Sequence, residues 1–345
     1  ELCEAMSRKD TNQMATPTAI WIWAEQRNGH FMDVSLEVLG AAQELADTVN
    51  GTTAAVVIGD QVADLAKELV AYGADIVYAV SHPDLALYQS GAYPRILAEL
   101  IEDHGPEIVL MGSTSIGMEV APAVAARLKT GLTAHCCELE LKEKEGRPKL
   151  IADVPGWGGG IRVQIVCNTS PQMVTVGLGV TDKPQRRSRA EGTIVNVPVT
   201  LSESDLACRT VFMEETPPEG IPVEQAETVL VAGAGMKAAG GVEPLKDLAG
   251  LMGAAVGGTR PVVDQGWIPQ SGLIGASGKS IGPKLLITVG TSGANHYVSG
   301  ITKAEKVLAI NKDPNAAIFN ICDMGIVADL TEVLPLLQEE LTKQK

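Results

Sequence analysis

Short apolar runs alternate with segments of helical periodicity over the first part of the chain. The run Thr18–Ala24 reads TAIWIWA, and the next segment, Val34–Val49, places Leu36, Leu39 and Ala42 on one helical face. The same alternation predicts further strands at 53–58, 75–80 and 107–111, and further helices at 62–72, 85–104 and 119–128. Successive strand–helix units of this kind predict an α/β fold with a mostly parallel sheet covered by helices on both faces.

Strand-like segments without helices between them follow this region. They lie at 135–141, 149–154, 162–167 and 173–176, and we expect them to extend the sheet with antiparallel members. One further strand is predicted at 193–199.

The strand pattern breaks from about Asp182, where the polar and basic stretch DKPQRRSRAEG begins. A later stretch, EETPPEGIPVEQAE, is rich in Glu and Pro, which is typical of a connector between domains. We therefore predict a flexible leader at 1–16, an N-terminal α/β domain at 17–204, and a connector with a C-terminal domain at 205–345.

The C-terminal part restarts with a strand at Thr228–Ala232 followed by a glycine-rich turn. Helical periodicity is predicted at 245–252 and 327–341, and strands at 285–289 and 307–310. These elements predict a second, smaller α/β domain.

Charge and composition exclude several classes of function. A net charge of -15 disfavours nonspecific binding to nucleic acid or to an anionic membrane, because both require a basic face. The chain has no run of 18 apolar residues, so we predict no membrane span, and the first residues lack the apolar core of a signal peptide. Six cysteines without a CxxC pair and five histidines without ligand spacing predict reduced thiols and no metal site. We expect a cytoplasmic protein, or a mitochondrial matrix protein if the source is eukaryotic.

The first glycine-rich turn follows the strand Thr228–Ala232 and contains Gly233, Gly235 and Gly240. A dinucleotide-binding turn has the spacing GxGxxG, whereas the spacing here is GxGxxxxG. The pattern favours a structural turn over direct phosphate contact.

Three more loops combine glycines with polar residues, and those around Arg260 and Ser292 follow predicted strands. One contains Arg260, which is either a cation that stacks on a flat ring or a surface residue in an ion pair. The other two read GASGK, around Ser277, and GTSGA, around Ser292; each is either a common turn or a close approach to a ligand. Asn311 and Asp329 either cap their own turns or hold ribose hydroxyls or adenine.

Taken in order, these segments resemble one known family. GGTRPVVDQGWIPQSGLIGASGK, PKLLITVGTSGA and INKDPNAAIFNICDMGIVADL are similar to the signature region of the electron-transfer flavoprotein alpha family. The resemblance is specific over about residues 228–345. It extends more loosely to the first domain through GMEVAPAVAARLKTGLTA, PGWGGG and SPQMVTV.

The resemblance implies a C-terminal doubly wound FAD-binding α/β domain and an N-terminal domain that carries the interface with a separate beta subunit. It implies an electron carrier without its own substrate site. Its electrons come from an acyl-CoA dehydrogenase or reductase, another flavin dehydrogenase, or NADH through the beta subunit, and flavin-based bifurcation stays open. The cofactor-binding residues that it implies are Thr259, Arg260, Gly275, Ala276, Ser277, Gly278, Ser292, Gly293, Ala294, Asn295, His296, Tyr297, Asn311, Asp329 and Leu330.

Within this set the resemblance also implies roles. Arg260 is the cation beside the flavin, and Ser277 is the hydroxyl at its N5 atom, where Thr is more usual. The SGA loop at Ser292 lies near the pyrophosphate and the ring, and Asn311 and Asp329 lie on the adenosine side.

Three positions depart from the family pattern. Ala234 replaces an Arg, Ala276 replaces a Gln, and Tyr297 replaces a His near flavin O2, with His296 one residue earlier. A His at that position favours negative charge on the ring, so its replacement predicts weaker stabilisation of the one-electron reduced state.

Two other classes of protein would also use a doubly wound fold. A nicotinamide-dependent dehydrogenase needs an acid or base beside its cofactor, and the sequence offers only His296 for that task. A non-catalytic nucleotide sensor would need neither an acid nor a base at that position. Flavin absorption distinguishes the electron carrier from the dehydrogenase and from the sensor.

Overall fold

The computed structural model describes residues 18–144, 147–156, 161–187, 191–214 and 220–343. The predicted leader at 1–16 and residues 157–160 of the PGWGGG loop lie outside these residues. The chain divides into two compact units, of which the first runs to Val154 and resumes over Gln164–Met213. The second unit comprises Pro155–Val163 and Glu214–Lys345.

The first unit contains a seven-stranded sheet whose described pairings are all parallel. Its strands, in chain order, are β1 (Ala19–Trp23), β4 (Thr52–Gly59), β5 (Ile76–Ser81), β6 (Ile108–Gly112), β7 (Leu132–Cys136), β11 (Gln172–Val176) and β12 (Thr193–Val197). Across the sheet the order is β12-β5-β4-β1-β6-β11-β7. The expected parallel α/β domain is confirmed.

Smaller strands lie outside the seven-stranded sheet. The pair β2 (Gln26–Arg27) and β3 (His30–Phe31) is antiparallel, and β8 (Glu138–Lys144), β9 (Arg147–Gly156) and β10 (Ile161–Val166) form a separate sheet in the order β10-β9-β8.

The expectation that the later strands extend the main sheet as antiparallel members is wrong. β7, β11 and β12 join that sheet in parallel, while β8 and β9 pair antiparallel to each other outside it. Burial and position in the sheet explain the difference. β11 is an interior strand of the parallel sheet and is buried along its whole length, whereas β12 is largely exposed because it lies at the edge. Every residue of β10, outside this sheet, is exposed.

Four helices cover the two faces of this sheet: α1 (Asp33–Thr48), α2 (Ala63–Ala71), α3 (Ala92–His104) and α4 (Gly117–Leu128). The predicted helix at 85–104 begins only at Ala92, because Pro83–Leu85 forms a separate 3-10 turn. Alternate residues of β1 serve opposite faces, so that Ile20 belongs to one apolar cluster and Trp21 to the other.

The stretch from Thr200 to Met213 groups with the first unit, although the sequence predicted a connector from 205 onward. Asp205 is buried, and its carboxylate accepts a hydrogen bond from the Arg95 Nε atom at 2.7 Å. The Ser202 N–H and hydroxyl donate to the other carboxylate oxygen, both at 2.7 Å. Arg95 also donates to the Thr200 carbonyl oxygen at 3.1 Å, so a partly buried ion pair holds this segment on α3.

We expect Asp205→Asn to lower the free energy of unfolding of the first unit by about 1–3 kcal/mol at pH 7, since it breaks a charged hydrogen bond. Burial alone would raise the pKa of Asp205, but the hydrogen bonds from Ser202 and the Arg95 guanidinium hold that pKa below its ordinary value. A lowered folded-state pKa stabilises the protein above the unfolded-state pKa of about 3.9, and this contribution is lost as the pH falls through the folded-state pKa.

Urea unfolding at pH 7 and at a series of lower pH values measures this effect. The difference between wild type and Asp205→Asn should shrink below about pH 4. Asp64→Asn is the matched control, because the Asp64–Lys67 ion pair lies on the exposed surface. A difference for Asp205→Asn that does not change with pH would contradict the assignment.

The second unit contains a five-stranded parallel sheet. Its strands are β13 (Thr228–Ala232), β14 (Ala255–Gly258), β15 (Leu285–Val289), β16 (Val307–Asn311) and β17 (Met324–Val327). The order across the sheet is β14-β13-β15-β16-β17, which is that of a doubly wound fold.

The helices of the second unit are α5 (Glu243–Met252), α6 (Arg260–Asp264), α7 (Asn295–Val298) and α8 (Leu330–Lys343). Short 3-10 helices occur at Ala234–Ala239, Gln270–Gly272 and Ala317–Asn320. Leu230 and Val231 belong to separate apolar clusters on the two faces of the sheet, and the expected second α/β domain is confirmed.

Two details near the C-terminus differ from the sequence prediction. The edge strand β17 was not predicted, and α8 begins at Leu330, whereas the predicted helix began at 327. In the described part of the chain, every helix is too short or too polar to cross a membrane.

Candidate functional site

A cavity of about 330 Å³ opens at the carboxyl ends of the strands of the second unit. Residues that follow each of β13, β14, β15, β16 and β17 line it, so the whole edge of the sheet contributes. The order of the strands reverses between β13 and β15, and ligands of doubly wound folds bind at such a point. The position and volume of the cavity are those of a ligand site.

The first glycine turn holds β13 and β15 close together at this point. The Gly233 N–H donates to the Val289 carbonyl oxygen at 2.8 Å, and the Gly235 N–H donates to the Gly290 carbonyl oxygen at 2.9 Å. A methyl group on Gly233 would overlap the Gly290 backbone, so only glycine permits this approach. Both N–H groups are therefore used within the turn itself, which supports a structural role for these glycines over direct phosphate contact.

The loop after β14 carries Thr259 and Arg260, and both line the cavity. Thr259 is buried, and its hydroxyl donates to the Ala232 carbonyl oxygen at 3.4 Å. The Arg260 Nε atom lies 2.7 Å from Asp264 Oδ1, one turn later in α6, and both side chains are more than half exposed. Arg260 thus brings a positive charge to the cavity, but this charge is paired with the carboxylate of Asp264.

The GASGK loop places Ser277 in the cavity wall, whereas Ala276 and Gly278 are not among the lining residues. The Ala276 N–H donates to the His296 carbonyl oxygen at 2.7 Å. Gly275 also lines the cavity and has a φ of 138°, which a residue with a side chain rarely adopts. The loop is therefore a tight turn that points one hydroxyl-bearing residue at the site.

The loop after β15 contributes Ser292, Gly293 and Ala294 to the wall. Gly293 has a φ of 81°, and a methyl group there would overlap the backbone nitrogen of Ile318. The short helix α7 follows; its first residue, Asn295, does not line the cavity.

His296 and Tyr297, the next two residues of α7, both line the cavity but differ in environment. His296 is exposed, whereas Tyr297 is buried and donates its hydroxyl to Thr288 Oγ1 at 3.0 Å. Burial raises the pKa of Tyr297, so its hydroxyl stays neutral. The imidazole of His296, and not the committed hydroxyl of Tyr297, is the group available to a ligand.

The ends of β16 and β17 provide the other side of the cavity. Asn311 donates its amide to the Thr291 carbonyl oxygen at 2.7 Å and accepts from the Asp313 N–H at 2.9 Å, so both ends of its side chain brace the loops. Asp329 accepts from the Thr331 N–H at 2.9 Å, and the hydrogen bonds from Thr331 hold the pKa of Asp329 below its ordinary value. Both residues line the cavity, as does the buried Leu330.

Sequence reasoning did not select every lining residue. Lys312, which follows β16, was overlooked although it lies beside Asn311 at a strand end. The other lining residues outside the predicted set are Ala234, Gly235, Ala238, Pro261, Leu273, Ile274, Gly290 and Thr291. Their side chains are apolar or small, or face other loops, so the sequence contains no pattern of polar or charged groups that would identify them as lining residues. In the described part of the chain, no group of three or more His, Cys, Asp or Glu residues is placed to hold a metal ion.

Two families match the chain in succession. Residues 20–202 match the electron transfer flavoprotein domain, and residues 222–302 match the electron transfer flavoprotein FAD-binding domain. The electron transfer flavoprotein subunit alpha of Thermoanaerobacterium thermosaccharolyticum is 39% identical over 327 residues, which cover 94% of this chain and 98% of that protein. The chain belongs to the electron transfer flavoprotein alpha family.

Other members of the family show similar agreement. The electron transfer flavoprotein subunit alpha of Megasphaera elsdenii is 38% identical, with 96% of this chain and 98% of that protein covered. The LctC subunit of the lactate dehydrogenase (NAD(+),ferredoxin) of Acetobacterium woodii is 36% identical, with 92% and 75% covered.

The family assignment identifies FAD as the cofactor of this electron transfer flavoprotein alpha chain. The matched FAD-binding domain lies within the second unit and contains three of the strands whose ends line the cavity. Asn311, Lys312, Asp329 and Leu330 extend the lining beyond the matched residues.

Proposed function

We propose that FAD binds in this cavity and that the chain acts as an electron carrier paired with a beta subunit. The observation that carries the proposal is the convergence of all five strand ends of the second unit on one cavity. Two cationic residues, Arg260 and Lys312, line it, which suits a cofactor that bears two phosphates and gains negative charge on reduction.

FAD supplies reversible electron storage on its ring, and the protein sets the potential through charge and hydrogen bonds. Arg260 would favour negative charge on the ring, and Ser277 would offer one reorientable hydrogen bond. Lys312 would attract the phosphates, and the carboxylate of Asp329 would accept hydrogen bonds from ribose hydroxyls. The set of residues therefore fits a flavin dinucleotide.

The lining favours a carrier over a dehydrogenase. A dehydrogenase requires an acid or base with access to the cofactor. Among the described lining residues, Tyr297 is committed to Thr288 and Asp329 caps α8, so the remaining acid–base candidates are the basic groups of His296 and Lys312. We therefore propose that the chain carries electrons without a substrate site of its own.

We propose a flavin dehydrogenase, such as an acyl-CoA dehydrogenase or reductase, or NADH through the beta subunit, as the source of electrons. One relative is named as a subunit of a dehydrogenase that uses NAD+ and ferredoxin. That name favours flavin-based bifurcation as a second arrangement for this chain. In either arrangement the beta subunit docks on the N-terminal domain.

The visible spectrum of the chain co-expressed with its beta subunit tests the proposal. We expect flavin absorption with one FAD per alpha chain, and bleaching when a catalytic amount of a flavin dehydrogenase is added together with an excess of the substrate that this dehydrogenase oxidises. The chain purified alone should retain less FAD. A colourless complex that reduces NAD+ with a substrate of its own would contradict the proposed function and support the dehydrogenase.

A further inference from the structure

Three hydroxyl side chains meet at the wall of the cavity, inside an otherwise apolar core. This hydroxyl triad consists of Thr288, Thr291 and Tyr297, whose exposed fractions are 0%, 2% and 5%. Tyr297 donates to Thr288 Oγ1 at 3.0 Å, and the Oγ1 atoms of Thr288 and Thr291 lie 2.7 Å apart. Buried hydroxyls are costly unless they bond to one another, so the three groups fix each other's positions.

The triad connects to the loop of Ser292 on one side. Thr291 immediately precedes Ser292 and Gly293 in the cavity wall, and its carbonyl oxygen accepts the Asn311 amide at 2.7 Å. Thr291 is therefore held through its side chain and its backbone at once.

On the other side, the triad connects to the loop of Ser277. Tyr297 follows His296, whose carbonyl oxygen accepts the Ala276 N–H at 2.7 Å. Ala276 precedes Ser277, so one cluster supports both hydroxyl-bearing loops.

The helix α7 spans only Asn295–Val298, and a single turn is not stable without tertiary contacts. The hydrogen bond from the buried hydroxyl of Tyr297 therefore fixes the orientation of this turn relative to the core. Adjacent residues of a helix point about 100° apart, so anchoring Tyr297 in the core leaves His296 on another side, at the cavity.

We propose that the hydroxyl triad is a positioning device that holds His296 and Ser277 at the FAD site. The proposal rests on FAD binding in the cavity, but it assigns a new task to Thr288, Thr291 and Tyr297. Tyr297 acts through its neighbours, and its hydroxyl does not serve as the partner of flavin O2 that the family pattern suggests.

A double-mutant cycle between Tyr297 and His296 tests the proposal in the complex with the beta subunit. The measurements are the FAD dissociation constant, from flavin fluorescence, and the midpoint potential. We expect His296→Ala to weaken FAD binding by about threefold to tenfold in the wild-type background and by less than twofold in the Tyr297→Phe background. Thr288→Val should reduce the effect of His296→Ala in the same way.

Thr288→Ser is the matched control, because it keeps the hydroxyl and should restore the wild-type effect of His296→Ala. A purely structural role would lower the melting temperature in Tyr297→Phe and Thr288→Val but leave the effect of His296→Ala unchanged, and that result would overturn the proposal. If Tyr297→Phe does not fold, the test rests on the effect of His296→Ala in the Thr288→Val background compared with its effect in the Thr288→Ser background. A wild-type complex that binds no FAD would instead contradict the proposed function.

Discussion

Replacing Arg260 with alanine is expected to lower the midpoint potential of the bound FAD by about 20–40 mV. A cation beside the ring stabilises the reduced, negatively charged flavin more than the neutral oxidised form, so its loss disfavours reduction. Charged hydrogen bonds contribute about 1.5–3 kcal/mol, and we reduce this to about 1–2 kcal/mol because Arg260 is more than half exposed and paired with Asp264. For a two-electron couple, about 30 mV corresponds to 1.4 kcal/mol.

Potentiometric titration of the complex measures this shift. Lys284→Ala is the matched control, because it removes a positive charge from the same domain at an exposed residue that does not line the cavity. Asp264→Asn provides the opposite change, since it releases Arg260 from its carboxylate and should raise the potential. An unchanged or raised potential in Arg260→Ala would contradict the role assigned to this side chain.

Gly293→Ala is expected to lower the free energy of unfolding of the second unit by roughly 2–5 kcal/mol and to prevent the retention of FAD. The left-handed backbone at Gly293, with a φ of 81°, costs about 1–2 kcal/mol for a residue with a Cβ atom. The added methyl group also overlaps the Ile318 backbone, and overpacking of this kind costs about 1–3 kcal/mol. The loop must move to relieve the overlap, and the cavity wall moves with it.

Chemical denaturation and the ratio of flavin to protein after gel filtration measure the two effects. Gly250→Ala is the control, since Gly250 lies in α5 with free space around it. That change should stabilise the unit by about 0.5–1 kcal/mol and leave FAD bound. Equal stability of Gly293→Ala and wild type would show that the loop relaxes without cost.

The sequence predicts the regular elements of the second unit well, because local periodicity and the rules of parallel sheets determine them. Thr228–Ala232, Leu285–Val289 and the strand from Val307 agree with the structure. The rule that ligands bind at the carboxyl ends of strands also selects Arg260 and Ser292, which follow β14 and β15 and line the cavity. Their roles toward FAD stay predictions.

Long-range contacts were beyond sequence reasoning. The Arg95–Asp205 pair joins residues 110 positions apart, so composition alone suggested a free connector from 205. The hydrogen bond between Tyr297 and Thr288 likewise depends on which side of a single helical turn faces the core. The separate sheet of β8, β9 and β10 was misassigned because alternation reveals a strand and not its partner.

With FAD bound in the cavity as proposed, the convergence of five strand ends there would link the lifetime of the second unit to the supply of riboflavin, from which FAD is made. By mass action, a ligand present at 100 times its dissociation constant adds about 2.7 kcal/mol to the stability of the folded form that binds it. Only the FAD-binding unit gains this increment, and the seven-stranded unit gains nothing directly. In a vitamin-starved cell, proteolysis should therefore start in the C-terminal half of newly made chains, and cofactor supply would set how much carrier accumulates.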